Sequence, residues 1–410
     1  GSVRVGGLYQ YLKNQGHEVK VVAAEAQGVA KEADIKTDHD DVHYVVYKSL
    51  DSLLLAARKR LRSKAKKVKE TKQKINRSAG FLVKQIRAFF AWPDDQAGWI
   101  RPAVKAAMNI SENWQPDVIV SSALPFAGHC VASQVQRNLE VPWIADYRDL
   151  FSGNPYNKLP KWRDYINRLW EKKVLSQVTQ LTTVSKPLAE DLKALHSKPT
   201  SVILSGYDSS VEKRFDIKAG NRSKPIRILY SGIIYPGKRD PEPLFEAIKN
   251  MALGPDQINI SFYGQDLRGI EDTAVKHGVQ SCVNVNPPVS REEVLKLQAE
   301  ADILLLLLWD DPREVGVYTG KLFEYLAARR PILCIGCKDG VAASMIRERK
   351  LGVTVKDSLE IEQALKNWIH EFNVNKRIDP PDEESTDGLR REDQFNKFEN
   401  IIQRAGDLSK

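Results

Sequence analysis

The stretch from 230 to 240 combines glycine with two cations in an order that suits a phosphate group. It follows an apolar run that predicts a buried strand, and a segment with helical character comes after it. Gly232 permits close approach of a ligand to the backbone, and helix starts favour anions. Lys238 and Arg239 are candidate catalytic residues that neutralise a departing diphosphate, while Ser231, Gly232 and Lys238 are candidate binding residues. The alternative is a surface turn with solvated cations.

A second stretch follows the longest apolar run of the chain and reads Gly-Val-Tyr-Thr-Gly-Lys-Leu-Phe-Glu-Tyr-Leu-Ala from position 316. Open α/β sheets bind ligands at the carboxyl ends of their strands, which is where this stretch should lie. Thr319 and Gly320 begin a predicted helix and offer backbone amides to phosphate. Glu324, one turn further, is placed to accept hydrogen bonds from two ribose hydroxyls and counts among the catalytic candidates. Lys321 and Leu322 complete the binding candidates, and a plain surface carboxylate is the alternative for Glu324.

Two further turns could shape a nucleobase pocket. Tyr263 and Gly264 end a predicted strand, and Pro288 and Val289 precede a predicted helix start. Ordinary turn and capping chemistry explains both pairs equally well.

Polar residues also gather in the first half of the chain. Asp146, Arg148 and Asp149 end a predicted strand, and the first two are candidate catalytic residues. Asp149 and His129 are candidate acceptor-binding residues. A salt-bridged strand end is the alternative for the acidic cluster, and a satisfied core or cap histidine is the alternative for His129.

Short apolar runs alternate with amphipathic stretches along the chain, which predicts β-α-β units and parallel sheets. A polar segment at 197–223 divides two such series. A final helix is predicted at 390–404. The predicted strands are 18–23, 117–121, 143–146 and 180–184 before the divide, and 226–230, 258–263, 303–308 and 331–335 after it.

Composition indicates an ordinary globular protein of 410 residues, of which 42% are hydrophobic. No apolar run approaches the roughly 20 residues that cross a membrane. Four cysteines are too few for a disulfide framework and favour a reducing, cytoplasmic location. No motif calls for a metal ion or a prosthetic group.

The net charge of +9 is concentrated in one arm. Residues 58–77 hold eleven Lys or Arg and one acid, so the rest of the chain is nearly neutral. A helical pattern follows, with Leu82, Ile86 and Phe89 on one face. The region 58–90 suits peripheral contact with an anionic membrane on its inner face, or with a lipid-linked acceptor. The alternative is a solvated helix packed on its own domain. Nucleic acid is disfavoured, because no aromatic platform accompanies the charges.

The run 320–328 with the apolar strand after it resembles the nucleotide-sugar motif of family 4 glycosyltransferases, which have the GT-B fold. The segment that begins Gly6-Gly7-Leu8 is similar to the family's opening helix, so Gly6 and Gly7 become acceptor-binding candidates. The resemblance implies a strand before that helix, and only residues 1–5 precede it. The segments 116–122 and 141–150 are similar to later parts of the family's first domain.

The resemblance implies an α/β protein of two Rossmann-like domains facing a central cleft. An acceptor-binding domain would span 1–205 and include a basic arm at 51–90. A nucleotide-sugar-binding domain would span 206–380, and a C-terminal segment at 381–410 would cross back to the first domain.

Carried over position by position, the family's pattern is incomplete. Glu324 matches the second acid of the Glu-x7-Glu motif, but Gly316 stands at the first, with Glu314 as a conceivable substitute. Lys238 matches the lysine of the phosphate clamp, whereas Ile233 replaces its arginine and Arg239 is the nearest deputy. Arg148 stands where many members have a histidine.

The implied function is retaining transfer of a hexose-like sugar from a nucleotide diphosphate donor, a UDP-sugar in preference to a GDP-sugar. The acceptor would be a glycan or lipid-linked glycan of surface polysaccharide biosynthesis. Two alternatives stay open: a nucleotide-sugar epimerase of the same fold, and a nucleotide-sugar-binding protein that has lost catalysis.

Overall fold

A computed structural model of the chain describes residues 2–25, 40–47, 92–154, 160–214, 225–235, 237–265, 267 and 269–407. The predicted basic arm at 51–90 lies outside these residues. The chain divides into two compact units. Unit 1 comprises Gly1–Ile203 with Phe395–Lys410, and unit 2 comprises Leu204–Gln394.

Unit 1 contains a two-stranded and a four-stranded sheet, in the orders β1-β2 and β3-β4-β5-β6, and each strand pair is parallel. The strands are β1 (Val21–Ala24), β2 (Val42–Val45), β3 (Ile119–Ala123), β4 (Trp143–Tyr147), β5 (Gln180–Thr183) and β6 (Thr200–Val202). The helices before the second unit are α1 (Ser2–Asn14), α2 (Ile100–Ser111), α3 (Ala127–Leu139), α4 (Lys161–Val174) and α5 (Lys186–His196).

Unit 2 is built on one six-stranded parallel sheet in the order β12-β11-β10-β7-β8-β9. Its strands are β7 (Ile226–Ser231), β8 (Ile258–Tyr263), β9 (Val283–Asn286), β10 (Ile303–Leu307), β11 (Ile332–Ile335) and β12 (Gly352–Val355). Its helices are α6 (Ser209–Arg214), α7 (Glu242–Asn250), α8 (Ile270–His277), α9 (Arg291–Glu300), α10 (Gly320–Ala328), α11 (Val341–Glu348) and α12 (Ser358–Asn375).

The central strands explain why parallel sheets form. Every residue of β4 and of β10 is buried, and β10 reads Ile-Leu-Leu-Leu-Leu. A strand covered by helices on both faces needs such an apolar run, because neither face meets water. The prediction of an α/β protein with parallel sheets is therefore confirmed.

The last helix, α13 (Arg391–Asp407), begins in unit 2 and continues into unit 1. In unit 1, its residues Phe398, Ile401 and Ala405 pack with Ile144 and Ile203. The change of unit falls at Phe395, because the apolar side of the helix from that point contributes to the core of unit 1.

Candidate functional site

The two predicted phosphate-binding stretches meet at the carboxyl edge of the sheet in unit 2. Strands β7 and β10 are neighbours in that sheet. The stretch 230–240 continues from β7, and helix α10 follows β10 after a short connection that includes the 3-10 turn Pro312–Glu314. Adjacent parallel strands thus deliver both stretches to the edge at which α/β sheets bind ligands.

Gly232 sets how closely the two stretches approach. Its φ of +126° lies in a region that side chains rarely adopt. A Cβ at this position would lie 2.4 Å from Cε and 2.7 Å from Nζ of Lys321. The lysine of α10 therefore occupies the space that any other residue at position 232 would fill.

Lys321 is a cation held in a mostly buried place. Its Nζ donates to the hydroxyl of Tyr230 at 3.3 Å and lies 4.9 Å from the centroid of that ring. Burial above all, with a smaller contribution from Arg239, lowers the pKa of Lys321 from 10.5 to about 8 against an opposing effect of Glu324. The site therefore already contains two cations and a carboxylate that influence one another, and an incoming phosphate would favour the charged lysine.

Lys238 and Arg239 lie in a turn whose backbone amides both donate to the carbonyl of Tyr235 at 3.0 Å. Nζ of Lys238 lies 3.8 Å from the centroid of the Trp309 ring, and the guanidinium of Arg239 lies 5.2 Å from that of Tyr235. Since Trp309 comes directly after β10 and Leu308, Lys238 links the loop after β7 to the loop after β10.

An acid adjoins this cation pair. Hydrogen bonds from Arg313 lower the pKa of Asp311 from 3.8 to about 2, and Lys238 also lowers it. Asp311 accepts from the backbone and side chain of Arg313 at 2.9 and 2.7 Å. The Asp311 carboxylate is therefore ionised and paired with Arg313 within the loop after β10, and Lys238 also stabilises its charged form.

Helix α10 fixes the position of Glu324. Thr319 precedes the helix in an extended conformation, and its carbonyl accepts from Leu322 at 3.1 Å. Leu322 is buried, and the hydroxyl of Tyr325 donates to the carbonyl of Leu305 in β10 at 3.0 Å. Glu324 is left half-buried. The amides at Thr319 and Gly320 carry the positive end of the helix dipole, which favours phosphate.

Gly316 stands where the Glu-x7-Glu motif of the family has its first acid, and the nearby Glu314 is buried. Gly316 is buried, and the Glu314 side chain is 6% exposed in the 3-10 turn Pro312–Glu314. Glu314 is the residue that the sequence offers as a substitute for the missing acid, and that role stays a prediction. Ile233, at the position of the missing arginine, is exposed.

The remaining donor-site predictions lie on neighbouring loops. A Cβ on Gly264 would lie 2.2 Å from the carbonyl oxygen of Gly232, so the loops after β7 and β8 pack backbone against backbone. Tyr263 ends β8, and its carbonyl accepts from Gly232 at 2.7 Å. Pro288 and Val289 follow β9 and precede the Ser290 cap of α9.

Ser231, the last residue of β7, is buried. The side chain is 6% exposed, and its hydroxyl accepts from Nε2 of Gln298 at 3.1 Å. The hydroxyl is thus engaged in a contact with α9, which stabilises the end of β7.

In unit 1, Asp146 lies at the centre of a buried network. One carboxylate oxygen accepts from Arg4 at 3.3 Å and from Thr182 at 2.9 Å, and the other accepts from Ser122 at 3.1 Å. These contacts correspond to the salt-bridged strand end that the sequence left open as an alternative. Arg4, on α1, is the partner that sequence reasoning missed, because it is 142 residues away along the chain.

His129 lies wholly inside unit 1. Its Nδ1 shares a 2.8 Å hydrogen bond with the hydroxyl of Ser121, which also accepts from Nε1 of Trp143 at 2.7 Å. Burial lowers the pKa of His129 to about 3. The imidazole is therefore neutral, and contact with an acceptor would require the side chain to leave the core.

The other predicted residues of unit 1 lie on two separate elements. Arg148 is half-buried, and its backbone amide donates to the carbonyl of Ala123 at 3.3 Å, whereas Asp149 is exposed. Gly6 and Gly7 lie within α1, where Gly6 is buried.

Two aromatic residues contact the lysines that the sequence singled out. Tyr230, the penultimate residue of β7, accepts a hydrogen bond from Lys321, and the ring of Trp309, which follows β10, lies against Lys238. Burial raises the pKa of Tyr230 to about 12, so its phenol stays neutral. Both residues could have been found from the sequence, because an aromatic residue stands at the end of each of the apolar runs that become β7 and β10.

Within the described ranges, no three His, Cys, Asp or Glu side chains are grouped so that they could hold a metal ion. Over the same ranges, none of the helices is long and apolar enough to cross a bilayer.

Solved structures with the same fold are glycosyltransferases of the GT-B type. One, from Rickettsia africae, is 12% identical with a TM-score of 0.63, and the match covers 99% of this chain and 95% of that one. Another, Alr3699/HepE from Anabaena in complex with UDP, is 11% identical with a TM-score of 0.57, covering 94% and 100%. The same Anabaena protein in complex with UDP-glucose matches with 12% identity and a TM-score of 0.57, covering 94% and 99%. At these identities the matches establish the fold.

A comparison with curated proteins finds no match. The family model described as Glycosyltransferase Family 4 matches residues 1–211, which is just over half of the chain. That range ends before the site in unit 2, so the family match and the site geometry are separate observations. The chain belongs to glycosyltransferase family 4.

Proposed function

We propose that this glycosyltransferase takes a sugar from a nucleoside diphosphate donor bound by unit 2 and transfers it with retention of configuration. The observation that carries the proposal is the contact of Lys321 with Gly232 and Tyr230, which joins the two phosphate-binding stretches. A pyrophosphate between them would meet Lys238, Lys321 and the start of α10, where cations and helix amides favour anions.

In the proposed reaction, the bond between the anomeric carbon and the diphosphate oxygen breaks as negative charge develops on that oxygen. Lys238 and Arg239 neutralise this charge, and Lys321 adds a third cation. The acceptor hydroxyl forms the new bond on the same face of the sugar and passes its proton to the departing phosphate. Glu324 holds the ribose hydroxyls. Such a route needs no protein base, which agrees with the internal bonding of Asp146.

We assign the nucleobase to the loops after β8 and β9, near Tyr263, Gly264, Pro288 and Val289. The donor is a UDP-sugar in preference to a GDP-sugar. The Anabaena protein of the same fold, solved with UDP and with UDP-glucose, supports this choice.

The acceptor is a glycan or lipid-linked glycan of surface polysaccharide biosynthesis, bound by unit 1. The eleven Lys or Arg at 58–77 support a contact with an anionic membrane or with the phosphate of a lipid carrier. Flotation of a variant with neutral residues at 58–77 tests the contact, and undiminished binding to anionic vesicles would refute it.

Two substitutions test the donor site. Glu324→Ala and Lys238→Ala should each abolish donor turnover, because one removes the ribose contact and the other removes a diphosphate cation. Lys296→Ala, which removes an exposed lysine of α9, is the matched control and should keep full turnover. Undiminished turnover in both site variants would reject the assignment.

A nucleotide-sugar-binding protein without catalysis is the second candidate. Gly316 and Ile233 at two family positions favour it, because each removes a charged group. Thermal shifts with a panel of nucleotide sugars report binding, since a ligand that binds only the folded state raises its stability. If a nucleotide sugar raises the melting temperature but its sugar is never transferred to an acceptor, the chain is a binding protein without catalysis.

A further inference from the structure

Helix α4 shows an apolar face to the solvent. Trp162, Tyr165, Ile166 and Leu169 are 60%, 63%, 44% and 54% exposed, respectively. Their spacing of i, i+3, i+4 and i+7 places them on one side of the helix. Isolated exposed apolar residues are ordinary, but a continuous face of this kind marks an interaction surface.

The opposite side of α4 is already occupied, so the exposed face is not a core face that failed to pack. Asn167 accepts from Nε1 of Trp92 at 3.0 Å. The buried carboxylate of Glu171 accepts from the hydroxyl of Tyr147 at 2.8 Å and from the hydroxyl of Ser152. These polar contacts, together with Trp170 and Val174 packed against the core, hold one side of the helix to unit 1, and the four exposed apolar residues lie on the other.

Cations border the apolar face. Lys161, Arg168, Lys172 and Lys173 are exposed, whereas Glu171 is buried and Asp164 pairs with Arg168 at 3.4 Å. At 100° per residue, three of these cations follow one margin of the face and Lys173 lies at its C-terminal end. An apolar centre with Trp and Tyr and a cationic margin is the pattern of helices that lie in a membrane interface.

We propose that α4 docks unit 1 on an anionic lipid bilayer, with Trp162, Tyr165, Ile166 and Leu169 inserted at the level of the headgroups. The four residues lie outside the basic arm at 58–77 in the sequence. Vesicle binding can be measured without any sugar donor, so the test of α4 is independent of the transferase proposal.

A second copy of the chain fits the face less well. Taking roughly 200 Å² for each complete side chain, the four residues expose on the order of 400–500 Å². A stable protein interface needs about 800 Å² from each partner. Anionic headgroups, in addition, complement the cationic margin of the face.

The experiment is flotation of the full chain with vesicles of phosphatidylcholine containing 30% phosphatidylglycerol, and with pure phosphatidylcholine. The variant Trp162→Ala/Tyr165→Ala/Leu169→Ala removes the apolar face. The matched control Val275→Ala/Leu359→Ala/Val374→Ala removes three residues of similar exposure from unit 2. A third variant, Lys161→Glu/Lys172→Glu/Lys173→Glu, reverses the margin.

We expect the apolar-face and margin variants to lose at least about tenfold in binding to anionic vesicles. The control should bind like the parent chain, and all variants should keep its circular dichroism spectrum. Equal binding by the apolar-face variant would overturn the proposal. Equal binding of the parent chain to neutral and anionic vesicles would also overturn it. So would an apolar-face variant that loses only self-association, measured by sedimentation, and keeps its vesicle binding.

Discussion

Replacing Lys321 by methionine should have opposite effects on two quantities: it should make unit 2 more stable and make its binding of UDP weaker. The side chain keeps a similar length but loses the charge that burial disfavours. Burial lowers the pKa of Lys321 from 10.5 to about 8, and one pKa unit corresponds to about 1.4 kcal/mol. The charged lysine therefore costs the folded state roughly 3 kcal/mol.

The direction of the pH dependence follows from where the protons bind. Since the pKa is lower in the folded state, the unfolded chain binds more protons between pH 8 and 10.5. Stability of the ligand-free protein should rise through this window, and the full cost applies below it. Lys321→Met should thus stabilise unit 2 by roughly 3 kcal/mol at pH 7, with a gain that disappears above pH 10.5.

Calorimetric melting measures this gain. At about 2–4 °C per kcal/mol, the transition of unit 2 should rise on the order of 6–12 °C at pH 7. The same variant should bind UDP at least about tenfold more weakly, because a charged hydrogen bond contributes roughly 1.5–3 kcal/mol. Lys296→Met, at an exposed position, is the control and should change neither quantity. A less stable Lys321→Met protein, or one that binds UDP like the parent, would refute the reasoning.

Three more outcomes are expected. Gly232→Ala should destabilise unit 2 by about 1–3 kcal/mol and weaken UDP binding in titration calorimetry, because of its φ and its contact with Lys321. Gly278→Ala, at a position of positive φ without a clash at the end of α8, should leave UDP affinity unchanged, and equal losses in both would contradict the contact. Tyr325→Phe should cost about 1 kcal/mol in denaturant unfolding, because the Leu305 carbonyl loses its donor; no change would remove that bond from the account. UDP binding at pH 8.5 should take up protons in calorimetry across buffers, and zero uptake would mean that Lys321 keeps its protonation state.

Among the described strands, all the central ones could be predicted from sequence, whereas only two of those at a sheet edge, β1 and β3, could. The apolar runs that become β4 and β10 are buried on both faces, and those that become β7 and β8 have one fully buried face, so all four stand out from their surroundings. The four strands without a sequence prediction are β2, β6, β9 and β12, and each lies at the edge of its sheet. Edge strands are short and partly exposed, so their residues mix apolar and polar types, as in Val-Asn-Val-Asn of β9.

The candidate site shows a similar limit. Glycine and cation spacing indicated which stretches would meet, because the carboxyl ends of adjacent parallel strands share one edge. The spacing did not indicate that Lys321 would lie against Gly232, because that contact depends on how α10 is positioned against the sheet. Nor did it separate Asp146 and His129 from surface residues, because their partners Arg4 and Ser121 come together only on folding.

The most direct test of the central claim is a crystal structure of the chain soaked with UDP. The account predicts that the diphosphate lies between Lys238 and the amides of Thr319 and Gly320, within hydrogen-bonding distance of Lys321, with the ribose hydroxyls on Glu324. Density for UDP at the opposite edge of the sheet in unit 2, or outside unit 2, would contradict it.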